Sequence, residues 1–221
     1  MSRKKTSKAT KKTKSKGSVR AKPRAKPRVK AGAPRKAVKK AAPSGRRRVR
    51  AAKPVATAVS ARQRAMDALV FARGMTRDLV QRFREDQALY QAVPTDNHLM
   101  WTLGHLAVSF DWFAGLLDAK ASEVPEHYQG LFGFKSSPAG QGSAYPSLAE
   151  VVGWFEKTYE RFAAAVKTLT DADMTLPTMG DSYGFAKDRL EVIERAAWHE
   201  GWHAGQLSSL RRSLGIPPLM G

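Results

Sequence analysis

At 221 residues the chain has room for one domain of ordinary size and an appendage. Its formal charge of +20 is lodged wholly in residues 1–54, which hold 23 Lys and Arg and no acidic residue, whereas the remainder sets 16 basic side chains against 19 acidic ones. The absence of cysteine excludes disulfides and thiolate metal sites, so any transition-metal site must use His, Asp or Glu.

Residues 1–58 read as a disordered basic arm, and residues 59–221 as a folded domain. The arm is built of Lys, Arg, Ala, Pro, Ser and Thr, with short recurrences such as Ala21-Lys22-Pro23-Arg24 and Ala25-Lys26-Pro27-Arg28. Its apolar side chains larger than alanine are few, so it cannot bury enough surface to offset the entropy of ordering, and its charges repel one another. It lacks the apolar segment of a secretory signal and the amphipathic period of a transit peptide. No run in the chain approaches the roughly 18–20 apolar residues of a membrane span. The expectation is a cytoplasmic protein with no membrane span.

From about Ser60 the pattern becomes helical. Met66, Leu69, Val70, Leu79, Val80 and Phe83 recur at spacings of three and four, predicting a first helix over roughly 60–90. Pro94, Thr95 and Asp96 break the chain, and Thr95 or Asp96 can cap a second helix running to about Lys120. Residues 121–146, rich in Pro, Gly and Ser, read as a long connection and suggest a crossover. Ser147-Leu148-Ala149-Glu150 is a capping box opening a third helix that carries Val151, Trp154, Phe155, Tyr159, Phe162, Val166 and Leu169. A second irregular connection spans 170–186. A fourth helix follows over about 188–214, stopped by Gly215 with Pro217 and Pro218. No stretch alternates with a period of two, so the expected class is all-α, an antiparallel four-helix bundle.

Of the five histidines, His199 and His203 stand four apart and so project from one helix face, a spacing that suits two ligands on one metal. Their stripe includes Val192, Ala196, Gln206 and Leu210 and points inward. On the second helix His105 shares an inward stripe with Trp101, Val108 and Trp112. On the residues alone, core histidines bonded to neighbours are the favoured reading. His98, at the start of its helix, is expected to face solvent or cap, and His127 to sit in a loop. Trp101, Trp112, Trp198 and Trp202 read as core and pocket wall.

His199-Glu200-Gly201-Trp202-His203 also matches the H-E-x-x-H pattern in which two histidines bind zinc and the glutamate activates water. It lacks the confirming context of a peptidase, with no third histidine at the extended spacing and no strand to hold a peptide. Glu200 is the candidate catalytic acid or base by adjacency. On a helix it points about 100° away from His199, so facing solvent or supporting a neighbouring helix are the competing roles. Gln206, one turn past His203, can hydrogen-bond a bound water or an imidazole.

Two stretches, Asn97-His98-Leu99-Met100-Trp101-Thr102-Leu103-Gly104-His105-Leu106 and His199-Glu200-Gly201-Trp202-His203-Ala204-Gly205-Gln206-Leu207, continuing to Arg212, resemble the DinB superfamily over roughly residues 60–221. The resemblance implies a four-helix bundle with a three-histidine site for a divalent metal. Carried over, the ligands are His105, His199 and His203. Three neutral imidazoles suit zinc, with nickel, iron or manganese as alternatives, and leave an open position as catalytic sites do. The resemblance further implies a metal-dependent enzyme acting on a small-molecule substrate, of thiol-dependent transferase or hydrolase type, with a low-molecular-weight thiol as a candidate cofactor.

The arm, similar to those of linker-histone-like and nucleoid proteins, would bind nucleic acid without sequence preference by neutralising phosphates, and so draw the protein to the nucleoid. A solvated tail or a contact with an anionic membrane stays open. The alternative to an enzyme is a non-catalytic DNA-associated protein with a structural metal-binding bundle. A homodimer is compatible with either.

Overall fold

The computed structural model describes residues 58–138 and 145–220; most of the basic arm, residues 1–57, lies outside the described residues, and so does the expectation of disorder made for it. The described chain is all-α. Its helices are α1 (Ala61–Val80), α2 (Leu99–Asp118), α3 (Glu126–Phe132), α4 (Leu148–Thr168) and α5 (Arg189–Ser213). Among the described residues the only β pairing is an isolated bridge between Pro177 and Asp188.

The starts are set by side chains that satisfy orphan N–H groups. The Ser60 hydroxyl accepts from the Gln63 N–H, Ser147 from Glu150, and Asp188 from Glu191. At α2 neither Thr95 nor Asp96 caps. His98 does, its Nδ1 accepting from the Trp101 N–H at 3.0 Å, while an Asp96 carboxylate oxygen accepts from the Val93 N–H. His98 is fully buried, its ring edge-on to Tyr145, so it caps and does not face solvent. The first helix stops ten residues short of the expected limit, and residues 85–87 form one 3-10 turn instead. The connection expected over 121–146 contains α3, which carries His127 on its surface, so that histidine is helical rather than in a loop. Its short apolar pattern, only Tyr128 and Phe132 buried, is too brief to stand out as a helical period.

Four long helices make the bundle. α1 packs along α5 and α2 along α4, and α2 also meets α5. Contacts give the directions. Asn97 near the start of α2 meets Gln206 near the end of α5, so those two run antiparallel. Arg62 on α1 reaches Leu169 and Asp171 beyond the end of α4, while Arg77 pairs with Glu156. α1 and α5 therefore run one way and α2 and α4 the other. The chain must travel the bundle's length between α2 and α4, which is why that connection is long. α3 fills the return path, packed back against α2.

The core is formed by the inward stripes, with Leu69, Leu103, Leu106, Phe110, Phe155, Phe162, Val192, Ile193 and Leu207 all buried. Two ion pairs interrupt it. Arg161 of α4 binds the Asp111 carboxylate and main chain on α2, and the Asp111 carboxylate accepts in turn from the Ser122 hydroxyl and the Glu123 N–H, pinning the chain that leaves α2. Arg73 of α1 meets Glu200 of α5 at 2.9 Å, with both side chains almost wholly inaccessible.

α3 approaches α2 at Gly104, where a built Cβ would lie 2.3 Å from the Phe132 ring. Alanine is the better helix former by about 1 kcal/mol, but a contact that short forces the ring or the helix to move, at about 1–3 kcal/mol. Gly104→Ala is thus expected to lower the thermal midpoint despite its propensity gain. The same shift would disturb the neighbouring His105, whose imidazole the Phe132 carbonyl holds. Thermal denaturation of the variant against wild type checks the loss of stability.

Candidate metal centre

The i, i+4 spacing on α5 sets the His199 and His203 rings on one face, 4.7 Å apart between centroids, and α2 brings His105 to 5.2 and 5.0 Å from them. Their candidate ligand atoms all lie within 4.8 Å of one another, and among the described residues this is the one group of three or more His, Asp or Glu arranged to hold a metal. The structure thus brings together the three histidines singled out from the sequence. It does not bring Glu200 into that group.

Each ring is fixed by something specific. His105 donates from Nδ1 to the Phe132 carbonyl at 2.7 Å, and its face stacks on Trp101 at 4.6 Å and 7°. A carbonyl can only accept, so Nδ1 carries the proton and Nε2 presents a lone pair. His203 makes the same arrangement with the Gln206 side-chain oxygen at 2.8 Å, and Asn97 donates to that oxygen at 3.2 Å. His199 stands edge-on to Phe113, and its Nε2 is buried with no hydrogen-bond partner. A buried, unsatisfied imidazole nitrogen costs free energy unless a ligand fills its lone pair.

Two outer nitrogens engaged by oxygens, with the inner nitrogens converging, is the usual environment of metal-bound histidine. The donor set fits a divalent transition metal of borderline softness. Electrostatics agree. Burial holds His199 down to about 3 and His203 to about 4, with neighbouring imidazoles adding to the effect, and lowers His105 as well. All three rings are neutral at physiological pH, the protonation state a metal requires.

The 2-stretch pattern that carries these residues now has a wider frame. A model of the DinB superfamily matches residues 68–207. The chain belongs to the DinB superfamily. The matched span takes in all three histidines of the DinB bundle, together with Arg73 and Glu200. Among solved structures, a conserved protein from Enterococcus faecalis superimposes with a TM-score of 0.57 at 12% identity, covering 72% of this chain and 99% of that one. At that identity the likeness is one of fold. No curated protein matches.

Glu200 is fully buried and turned towards α1, where Arg73 meets it. The contact is an ion pair more than a well-aligned hydrogen bond. Burial pushes the Glu200 carboxyl above the usual range, and Arg73 and Thr76 beside it act against that shift. The Arg73 guanidinium lies over the rings of Phe155, Tyr159 and Phe110 at 3.8, 4.4 and 4.7 Å and donates to the Phe155 carbonyl. Sequence reasoning missed Arg73, although a charged residue within the Leu69-to-Thr76 buried stripe of α1 was a signal. It also missed Gly104, Asn97 and the Phe132 carbonyl. Trp198 and Trp202, expected as core or pocket wall, are each 57% exposed and pack on each other at 5.4 Å. Each stands one residue before a histidine, about 100° around α5 from it and on the flank away from Glu200.

Protonation gives a direct test in the metal-free state. In the unfolded chain an imidazole gains its proton near pH 6.5; in the fold His199 and His203 do so only near 3 and 4. Between those values the unfolded chain binds more protons, so stability falls as pH drops below about 6.5, by up to about 3 kcal/mol per pH unit for two groups. Urea midpoints of chelator-treated protein at pH 7.5 and 5.0 should show this loss. The His199→Ala/His203→Ala double variant should show a clearly flatter dependence.

Proposed function

We propose that the DinB bundle binds one divalent cation, zinc in preference to nickel, iron or manganese, through the Nε2 atoms of His105, His199 and His203. We further propose that it is a metal-dependent enzyme acting on a small molecule, of transferase or hydrolase type. The observation that carries this reading is the convergence of two imidazoles whose Nδ1 groups are tied to oxygens on a third whose buried Nε2 has no partner. A structural role needs a closed coordination shell, and the protein offers three ligands, which favours a site with an open position.

When bound, such a metal would act as a Lewis acid on a carbonyl-like group or lower the pKa of a thiol or water at the open position. The chain's own contribution is orientation. The Phe132 carbonyl holds His105, and the Gln206 and Asn97 amides hold His203. Trp101 and Phe113 shield two of the rings and keep the local medium apolar. Glu200, the candidate acid or base, would have to leave Arg73 to reach a substrate. We assign it instead to fixing the rotation of α5, and through α5 the aim of its two histidines.

Metal analysis of purified protein tests the whole reading. The wild type should hold about one equivalent of metal, and His105→Ala, His199→Ala and His203→Ala should each lose it. Glu200→Gln should keep the equivalent while losing about 3 kcal/mol of stability, since Arg73 is left buried without its anion. Wild type without metal after loading sinks the proposal, and Glu200→Gln without metal but with unchanged stability sinks the role given to Glu200.

The basic arm is proposed to bind nucleic acid non-specifically. This rests on the 23 positive charges without a negative one in residues 1–54 and on counterion release from the polyanion. Deleting residues 1–54 should abolish DNA retention at 50 mM salt, and the intact chain's affinity should fall steeply towards 200 mM. Salt-insensitive binding, or binding kept by the deletion, would assign the contact elsewhere.

A further inference from the structure

α5 leaves a face uncovered on the side away from the bundle. Glu194, Trp198, Gly201, Trp202, Gly205 and Arg212 are all exposed, and at about 100° per residue they fall within a sector of about 100°. The two indoles, packed on each other, form its apolar part. On α1, which packs alongside α5, Phe71 is 69% exposed one turn beyond Ala68, and Ala68 shares a groove with Ala197 of α5. Large apolar side chains gathered in water mark an interaction site.

Two glycines sit beside the indoles. Gly201 and Gly205 lie within the 25-residue α5, where glycine is a poor helix former. The chain's own packing requires neither, since a Cβ built on either one meets nothing within 4 Å. Neither has a positive φ that would call for glycine. With Ser209 a turn further on, they leave a shallow trough along the helix.

The ends of the face carry opposite charges. Glu194 and Arg212 are separated by five complete helical turns, so they lie on one line about 27 Å apart. Among the described residues Glu194 has no ion-pair partner, although Arg64 lines the same groove. Arg212 reaches the Ser209 hydroxyl at 3.4 Å.

We propose that this face binds the same face of a second copy, with the two α5 helices antiparallel about a twofold axis level with His203. Such an interface must be self-complementary, and the positions on α5 are. Glu194 of each copy comes level with Arg212 of the other, on the same side of the pair, so two equivalent ion pairs form. Trp198 enters the hollow between Gly205, Ser208, Ser209 and Arg212 of the other copy, four positions spaced as a knob-into-hole contact requires. The Trp202 rings meet across the axis. A parallel pairing would set Glu194 against Glu194 and Arg212 against Arg212, which like charge opposes. A face about 27 Å long and little wider than one helix is smaller than the roughly 800 Å² per partner of a standard interface, so the dimer should dissociate on dilution.

Sedimentation velocity on the full-length protein, freed of nucleic acid, tests this over about 1–200 µM, the range in which mass action shifts a weak dimer. Salt near ~0.3 M screens the repulsion between two basic arms. The wild type should pass from monomer to dimer across that range. Trp198→Ala and Trp202→Ala should each raise the dissociation constant by about 10-fold or more, as loss of an interfacial tryptophan does. Gly205→Leu should weaken association as much while leaving the thermal midpoint of dilute protein unchanged or higher, because its side chain meets only solvent in the monomer. Glu194→Arg should also weaken association, and adding Arg212→Glu should restore it, since the exchanged charges meet again across the pair. A wild type that stays monomeric throughout leaves the face to some other protein and overturns the proposal. A dimer indifferent to the tryptophan and glycine substitutions places the interface elsewhere and overturns it too. Failure of the double charge exchange to restore association overturns the antiparallel pairing.

Discussion

The bundle turns on a charge pair placed where charges are least welcome. Arg73 and Glu200 face each other between α1 and α5, with aromatic rings from α2 and α4 closing around the guanidinium. All four long helices therefore touch one ionic contact or its immediate wall. Removing either ion from water costs several kcal/mol, and their attraction with the ring faces returns much of it. Such a pair adds little net stability, but it penalises misalignment heavily, because a small rotation of α5 strands both charges. The histidine pair lies on the same helix, one residue before and three after Glu200. Whatever fixes the rotation of Glu200 also fixes where those rings point.

The geometry of the three-histidine cluster rests on a second set of constraints, each local and modest. The close approach allowed by Gly104 lets Phe132 bring its carbonyl to His105. A turn of helix brings Gln206 to His203, and the loop before α2 supplies Asn97. These contacts act through tautomer and ring angle rather than through charge. The rings stay neutral because they are buried, so the site carries no protons for an incoming cation to displace near neutral pH.

Much of this was legible in the sequence because helical periodicity is a strong signal. The four long helices, the Ser147 cap and the H-x-x-x-H pair follow from the sequence pattern, and the resemblance supplied the third candidate ligand, His105. The misses share a cause. α3 has only two buried residues, too few to show a period, and it hides in a segment that reads as loop. His98 caps with an imidazole nitrogen in place of the usual short oxygen side chain. Arg73 could be seen as a charge on an apolar stripe, but its partner, 127 positions along the chain, could not be named. The exposure of Trp198 and Trp202 depends on which side of α5 meets α2, a fact of packing that side-chain hydrophobicity does not encode.

The three histidines stand on the long helices α2 and α5, and the stretch joining α4 to α5 supplies none of the three rings. That stretch supplies no hydrogen bond to an imidazole, so many of its exposed residues can be exchanged without moving one. On the function proposed above, reactivity and selectivity would be written in separate parts of the chain. A lineage built on this plan could then rewrite the stretch before α5 while keeping the same three rings in place.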